Sequence, residues 1–212
     1  MVPVSTLLAF AAVVAVLIAI PGPSVLFTIS RALTVGRTAA LLTVVGNAAG
    51  EYLQVVGVAF GVGQLMERSI LAFTAVKWLA AAYLIYLGVQ AFRHRRSIAQ
   101  ALEAKVPVVR PARAIRDGFV VGLTNPKTVV FLVVALPQFT NPAAGHLSLQ
   151  MLVLGAVFPA IAVMLDSIWA IAAGTAKQWL AGSPRRLAAI GGTGGLVMIG
   201  LGVTAAVSGR KD

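Results

Sequence analysis

No Asp, Glu, Lys or Arg occurs between Thr128 and Leu165. This uncharged stretch is longer than the roughly 20 residues that a helix needs to cross a bilayer. Over the whole chain, 59% of the residues are hydrophobic and 11% are charged, whereas soluble domains have about 25% charged residues. A water-soluble fold of this length cannot bury so much apolar surface. The sequence therefore predicts an all-α, polytopic integral membrane protein.

The long apolar runs predict helices because a helix satisfies its own backbone groups within lipid. Six such runs lie near residues 4–30, 39–65, 69–92, 117–139, 148–174 and 187–208. We interpret 1–212 as a single transmembrane domain, with half-repeats 1–92 and 117–212 joined by the polar loop 93–116. Since each half has three helices, the two halves face opposite ways in the membrane, as two inverted three-helix repeats do.

Arg and Lys are concentrated in the loops after the first, third and fifth predicted helices. The positive-inside rule therefore places these loops, including 93–116, in the cytoplasm, and both termini outside. The net charge of +11 thus reflects membrane orientation and contact with lipids, and no nucleic-acid partner is predicted. The chain has no cysteine, which excludes disulfides and thiolate metal sites.

Two proline motifs interrupt the first and fourth predicted helices. They are Pro21-Gly22-Pro23 and Asn125-Pro126-Lys127, and the residues that follow them match at an offset of 104. Proline removes a backbone donor, so each break frees carbonyl groups and exposes amides at the start of the next half-helix. Such amides, with the helix dipole, favour a carboxylate ligand. The alternative is a pair of kinks that only shape packing.

Four ionisable side chains lie inside predicted helices, where charge is costly and marks a binding site or a water-filled path. They are Glu51, Lys77, Lys127 and Asp166. Glu51 and Asp166 each have two interpretations: a group that binds a substrate ammonium or a proton, or a member of a structural ion pair. Lys127 can hold a carboxylate or pair with Asp166, whereas Lys77 is interpreted as reaching toward the membrane surface.

Helical spacing places Asn47 and Gln54 on the same face as Glu51. A parallel stripe of glycines, at positions 46, 50, 57 and 61, permits close helix packing within the chain or in a homodimer. No nucleophile motif, phosphate-binding loop or set of metal ligands is apparent. The sequence therefore predicts neither an enzyme nor a cofactor.

Three separated motifs give the chain a family resemblance over nearly its whole length. They are Pro21-Gly22-Pro23 followed by Arg31 and Gly36-Arg37, the run 77–88, and the run 119–127 leading to Leu136-Pro137-Gln138-Phe139. The chain resembles the lysine exporter (LysE) superfamily, specifically its homoserine and threonine efflux (RhtB-like) branch. Many relatives have Asp or Asn where this chain has Ser24, which puts a direct polar role at position 24 in doubt.

The resemblance implies an antiporter of the bacterial inner membrane that exports amino acids or related small metabolites and is driven by the proton motive force. It also implies that the transport path runs past the proline motifs and the membrane acids. The predicted substrate and proton pathway consists of Pro21, Gly22, Pro23, Asn47, Glu51, Gln54, Asn125, Pro126, Lys127 and Asp166. A proton-independent channel or facilitator, or an exporter of another solute such as a metal cation, is the alternative.

Overall fold

The computed structural model describes residues 2–19, 21–68 and 109–175, with isolated positions between 71 and 93 and between 183 and 203. These continuous ranges contain no strand, which confirms the all-α prediction for them. Their helices are α1 (Val4–Ala19), α2 (Pro23–Thr34), α3 (Arg37–Arg68), α4 (Pro111–Leu123), α5 (Pro126–Gln138) and α6 (Leu147–Thr175), with a short 3₁₀ turn at Pro142–Ala144.

Two stretches, Arg37–Gly61 of α3 and the whole of α6, are each long and apolar enough to cross a membrane. The pairs α1 with α2 and α4 with α5 each have the length and composition of one further span. The predicted helices 69–92 and 187–208 fall largely outside the described residues, as does Lys77. The six-helix count and the inverted repeat therefore stay predictions.

Both predicted helix breaks are present. The axes of α1 and α2 are bent by 53°, and those of α4 and α5 by 49°. In each pair the second helix begins with a proline, Pro23 or Pro126, because the amide that proline lacks would have no partner in the first turn. The predicted spans 4–30 and 117–139 are thus two helices each. Pro23 and Pro126 both start a helix. These two helix starts are one residue closer together in the sequence than the offset of 104 at which the residues after the two motifs match.

One predicted boundary is wrong. The fourth apolar run was expected to begin at residue 117, yet α4 begins at Pro111, inside the predicted loop 93–116. Pro111 fixes a helical backbone angle at the first position, so the helix starts before the apolar run does. The first turns of α4 consequently carry Arg113 and Arg116.

The contact between α3 and α4 is backbone against backbone. A Cβ built at Gly46 or Gly50 would overlap backbone atoms of α4, and one at Gly118 or Gly122 would overlap backbone atoms of α3. Two pairs of glycines four residues apart therefore face each other, the arrangement that lets helices approach most closely in a membrane. This contact holds α3 against the end of α4 where the second break lies.

The predicted packing role of the α3 glycine stripe is thus confirmed for its first half. At Gly57 and Gly61, by contrast, a Cβ would meet no atom of the described residues within 4 Å. The facing glycines on α4 were not singled out in the sequence.

Two apolar clusters enclose a polar layer. The first includes Phe10, Phe131 and Phe158, whose ring centroids are 6.1 Å (Phe10 to Phe131) and 5.8 Å (Phe131 to Phe158) apart. The second gathers residues of α2 with the beginning of α3 and the end of α6. Along α6, Asp166 falls between Ala162 of the first cluster and Ala170 of the second. The charged residue is therefore held within the bundle by apolar layers on both sides.

The exposed surfaces of α1 and α6 are apolar. Large hydrophobic side chains on α1 and α6 are more than half exposed, among them Val4, Leu8, Met164 and Ile168. A protein in water rarely shows so many exposed aliphatic side chains while it buries carboxylates. Polar residues inside and apolar residues outside are the arrangement expected of helices in lipid.

Candidate functional site

The first break releases a backbone carbonyl that a lysine from the other break satisfies. Pro21 has no N–H to donate, so the carbonyl of Leu17, four residues earlier, loses its helical partner. The Nζ of Lys127 donates a hydrogen bond to this oxygen at 2.8 Å. Lys127 is only 5% exposed, so its ammonium group is held inside the bundle at the end of α1.

Gly22 leaves room for the lysine. A Cβ at this position would lie 2.7 Å from Cδ and 3.2 Å from Nζ of Lys127, which is too close for either atom to stay in place. Gly22 is also the residue before α2, and it supplies no side-chain cap to that helix. The first break is therefore completed by a side chain that belongs to α5.

The second break is completed differently. The Asn125 side chain accepts a hydrogen bond from the backbone N–H of Lys127 at 3.1 Å, which caps the start of α5. Leu123 ends α4, and its carbonyl accepts from Nε2 of Gln54 at 2.7 Å. The same Gln54 nitrogen reaches the Asn125 carbonyl at 3.2 Å. Both ends of this break thus have neutral hydrogen-bond partners.

A hydrogen bond joins the two breaks. Nδ2 of Asn125 donates to Oγ of Ser24 at 3.1 Å, and both residues are buried. Ser24 lies in the first turn of α2, so the starts of the two half-helices meet here. Position 24 therefore has a polar contact, although the family resemblance put a direct polar role at this position in doubt. Its place directly after the proline motif was the available signal.

The two membrane carboxylates lie in the same layer. Nδ2 of Asn47 donates to Oδ2 of Asp166, and Oγ1 of Thr128 donates to Oε1 of Glu51, both at 3.4 Å. All four residues are at most 2% exposed. At 3.4 Å these bonds are long, so the carboxylates receive less compensation for burial than charged groups normally do.

Five buried oxygens have no hydrogen-bond partner among the residues described. They belong to Thr28, Asn47, Glu51, Gln54 and Asp166. Four of the five are amide or carboxylate oxygens, which only accept when the acids are ionised. We call the four amide and carboxylate oxygens, of Asn47, Glu51, Gln54 and Asp166, the acceptor layer. It suits a ligand with several N–H or O–H donors.

The acceptor layer also has an electrostatic preference. Lys127 lies close enough to Glu51 and Asp166 to interact with both, and the two acids interact with each other. With all three groups ionised, the cluster has an excess of one negative charge. A proton or a ligand ammonium group removes that excess, so either one stabilises the cluster.

The structure therefore brings most of the predicted pathway residues together. Asn47, Glu51, Gln54, Asn125, Lys127 and Asp166 are all buried in one layer, with Pro21 and Gly22 beside it and Pro126 half-buried. Pro23 is the exception, because its side chain is exposed. Lys127 was expected to hold a carboxylate or pair with Asp166, and its hydrogen bond to Leu17 is a contact that the sequence did not indicate.

A second polar feature was missed in the sequence. A cavity of about 620 Å³ lies between α2 and α4, on the side of the loop after α2. We call it the arginine cavity, because its lining includes Arg31, Arg113 and Arg116 together with Asp117. Nη2 of Arg31 donates to Oδ2 of Asp117 at 2.9 Å, and the guanidinium carbon lies 5.0 Å from the centre of the Phe27 ring.

Asp117 was not recognised as functional because it stands at the edge of an apolar run. A single acid at that place is expected in the polar end of any membrane helix. Arg113, four residues earlier on the same helix, was the available signal. Within the described ranges, no three His, Cys, Asp or Glu side chains are grouped so as to hold a metal ion.

The amino-acid sequence is similar to those of known translocators and efflux proteins. The profile of a family described as LysE type translocator matches residues 15–209. A homoserine/homoserine lactone efflux protein of Salmonella typhimurium is 32% identical over 170 residues, which cover 80% of this chain and 81% of that protein. A leucine efflux protein of Salmonella choleraesuis is 25% identical over 186 residues, 87% of this chain and 86% of its own length.

An uncharacterized membrane protein of Vibrio cholerae is 38% identical over 135 residues, which span 64% of each chain, just under two thirds. No solved structure gives a significant match.

Proposed function

The chain belongs to the LysE type translocator family, and from that premise we propose that it exports amino acids or related small metabolites in exchange for protons. The efflux proteins of Salmonella support the substrate class. The single observation that carries the proposal is the acceptor layer. There, two buried carboxylates, each with an oxygen that has no hydrogen-bond partner among the described residues, adjoin two broken helices.

The exchange follows from competition for one negative charge. A carboxylate of Glu51 or Asp166 binds either a proton or the substrate's ammonium group, because either one removes the excess charge of the cluster. A proton arriving from outside therefore displaces the ammonium group, and an ammonium group arriving from the cytoplasm displaces the proton. Substrate exit and proton movement inward are coupled at the same acids.

The substrate's carboxylate is held on the other side of the layer. In our proposal the amides at the starts of α2 and α5 supply hydrogen bonds, and the ammonium group of Lys127 supplies charge. Lys127 must then leave the Leu17 carbonyl to bind the substrate. Substrate binding thereby removes the group that completes the first break, and the angle between α1 and α2 becomes free to change.

Alternating access requires two parts that move against each other. We propose that these parts are the two inverted three-helix halves, with the acceptor layer between them. We also place the protein in the bacterial inner membrane, with the loop 93–116 in the cytoplasm and both termini outside, on the basis of the positive-inside rule.

The test is release of amino acids from cells loaded with dipeptides, with and without the protein, before and after collapse of the proton gradient. We expect faster release of particular amino acids, which stops on collapse. The double variant Glu51→Gln, Asp166→Asn, checked for normal abundance in the membrane, should lose this release. Release that ignores the gradient would instead favour a facilitator, and no effect on any amino acid would reject the substrate class.

A further inference from the structure

The arginine cavity is a second polar site, and its lining residues do not belong to the acceptor layer. Among its described lining residues, three arginines face one aspartate, so the cavity carries an excess of positive charge. Phe27, Val120 and Val121 supply an apolar wall. A small molecule with a carboxylate and an apolar part matches both features.

Arg31 differs from the other two arginines. Its side chain is 7% exposed, whereas those of Arg113 and Arg116 are 68% and 72% exposed. A buried guanidinium requires an anionic partner, and Asp117 provides one at 2.9 Å. A guanidinium has five N–H donors in a planar fork, of which this bond takes one. Arg31 is therefore equipped to bind a second carboxylate in bidentate geometry.

Asp117 does not depend on Arg31. Nε of Arg113 lies 3.9 Å from Oδ2 of Asp117, and Nη2 of Arg116 lies 3.5 Å from Oδ1. If another carboxylate takes Arg31, Asp117 keeps two cationic neighbours at the mouth of the cavity. The exchange of partners thus leaves no carboxylate without a counter-charge.

A polar face of α2 connects the cavity with the acceptor layer. Ser24, Thr28 and Arg31 are spaced four and three residues apart, so they lie on one face of the helix, and all three are buried. The distance from Ser24 to Arg31 along the axis is about 10 Å, from seven residues at 1.5 Å each. Thr28, between them, has a hydroxyl without a hydrogen-bond partner among the described residues.

We propose that Arg31 is the receptor for the substrate's carboxylate on the side where the substrate is taken up. The incoming carboxylate replaces Asp117 on the guanidinium, and the substrate then moves along the Ser24 and Thr28 face to the acceptor layer. This inference rests on the proposed function and adds to it an uptake site at which a free carboxylate is selected.

The experiment compares a substrate with an analogue that lacks only the carboxylate charge. The full-length protein is reconstituted in vesicles of zwitterionic phosphatidylcholine, and transport of the amino acid exported best is measured beside that of its carboxamide, which keeps the ammonium group and the shape. For Arg31→Gln we expect KM for the amino acid to rise at least about tenfold, since a hydrogen bond between charged groups is lost. KM for the carboxamide should change by less than about twofold.

Two further variants separate binding from architecture. Arg110→Gln removes the same charge from an exposed position outside the cavity lining and should change neither KM appreciably. The charge-reversed pair Arg31→Asp, Asp117→Arg rebuilds the ion pair, so a purely structural role predicts recovery of transport. We expect it to recover thermal stability and abundance but not the low KM for the amino acid.

Equal loss of amino-acid and carboxamide transport in Arg31→Gln, or full recovery in the charge-reversed pair, would overturn the inference. So would a dependence of wild-type transport on anionic phosphatidylglycerol that disappears in Arg31→Gln, because the anion would then be a lipid headgroup. Failure of the proposed function is a separate result, in which the wild-type protein moves no amino acid at all.

Discussion

Both helix breaks contain a proline that frees backbone groups, but these groups have different hydrogen-bond partners at the two breaks. At the second break, Asn125 and Gln54 satisfy the freed backbone groups with neutral amides from a neighbouring residue and from α3. At the first break, the freed carbonyl of Leu17 depends on a charged side chain from α5. Gly22, unlike Asn125, contributes no side-chain cap.

The difference indicates which break responds to ligands. In our proposal the hydrogen bonds that Gln54 donates at the second break join neutral groups, so they respond little to a proton or an ammonium group in the acceptor layer. The bond from Lys127 to Leu17 responds strongly, because the charge of Lys127 interacts with both Glu51 and Asp166. We therefore interpret the second break as a fixed support and the first as the joint that is coupled to transport.

The largest effect is expected from Lys127→Met. This change leaves the Leu17 carbonyl without its partner and leaves the two acids without their neighbouring cation, so both functions of the lysine are lost together. We expect efflux to fall by at least about 100-fold, which corresponds to roughly 3 kcal/mol. Efflux assays with matched protein abundance check this, with Arg110→Gln, at an exposed position outside the arginine cavity, as the control for removal of a positive charge. Efflux within tenfold of wild type would contradict our interpretation of the first break as the joint that is coupled to transport.

A smaller loss is expected from Gly22→Ala, which keeps the charge but displaces it. The new Cβ would lie 2.7 Å from Cδ of Lys127, so the lysine side chain must shift, and we expect its hydrogen bond to the Leu17 carbonyl to weaken. We expect about a tenfold loss of efflux, with a lower melting temperature in detergent. The matched control is Gly57→Ala, where a Cβ meets no atom within 4 Å in the part of the chain that the structure describes. Equal behaviour of the two variants would show that Gly22 does not position Lys127.

Gln54→Leu tests the second break. It removes the donor to the Leu123 carbonyl without changing any charge, so a buried acceptor is left unpaired at a cost of about 1–3 kcal/mol of stability. We expect a lower melting temperature but less than tenfold loss of efflux per folded molecule. If this variant lost more efflux than Lys127→Met at equal abundance, the roles that we assign to the two breaks would be reversed.

The smallest effect is expected at the link between the breaks. Ser24→Ala removes the acceptor of the Asn125 Nδ2 donor, and a single neutral hydrogen bond contributes about 0.5–1.5 kcal/mol. Efflux should fall by about two- to threefold, which corresponds to the lower end of this energy range, and Ser24→Asn, which retains an acceptor, should restore it. A loss in Ser24→Ala as severe as that in Lys127→Met would show that the link, rather than the lysine, controls the joint.

The sequence predicted the features that depend on short-range chemistry. Proline removes a donor wherever it stands, so both breaks could be located from Pro21 and Pro126 alone. Helical spacing is equally local, and it correctly grouped Asn47, Glu51 and Gln54 on one face. The rarity of charge in apolar segments drew attention to Lys127 and Asp166.

Contacts between distant segments could not be predicted in this way. The partner of the Leu17 carbonyl lies 110 residues along the chain, and that of Arg31 lies 86 residues away. The α3 glycines were recognised, but which helix they pack against depends on the bundle as a whole. The start of α4 at Pro111 was missed because apolar composition marks the membrane-spanning part of a helix and not its capping turn.

The most direct test of the account measures protons and substrate together. The protein is reconstituted in vesicles that contain a pH-sensitive dye, without an imposed gradient, and the amino acid exported best is added outside. Amino acid moving in should drive protons out and raise the internal pH, and the double variant Glu51→Gln, Asp166→Asn should abolish this response. Amino-acid transport with no accompanying pH change, or an undiminished pH change in the double variant, would contradict exchange at the acceptor layer.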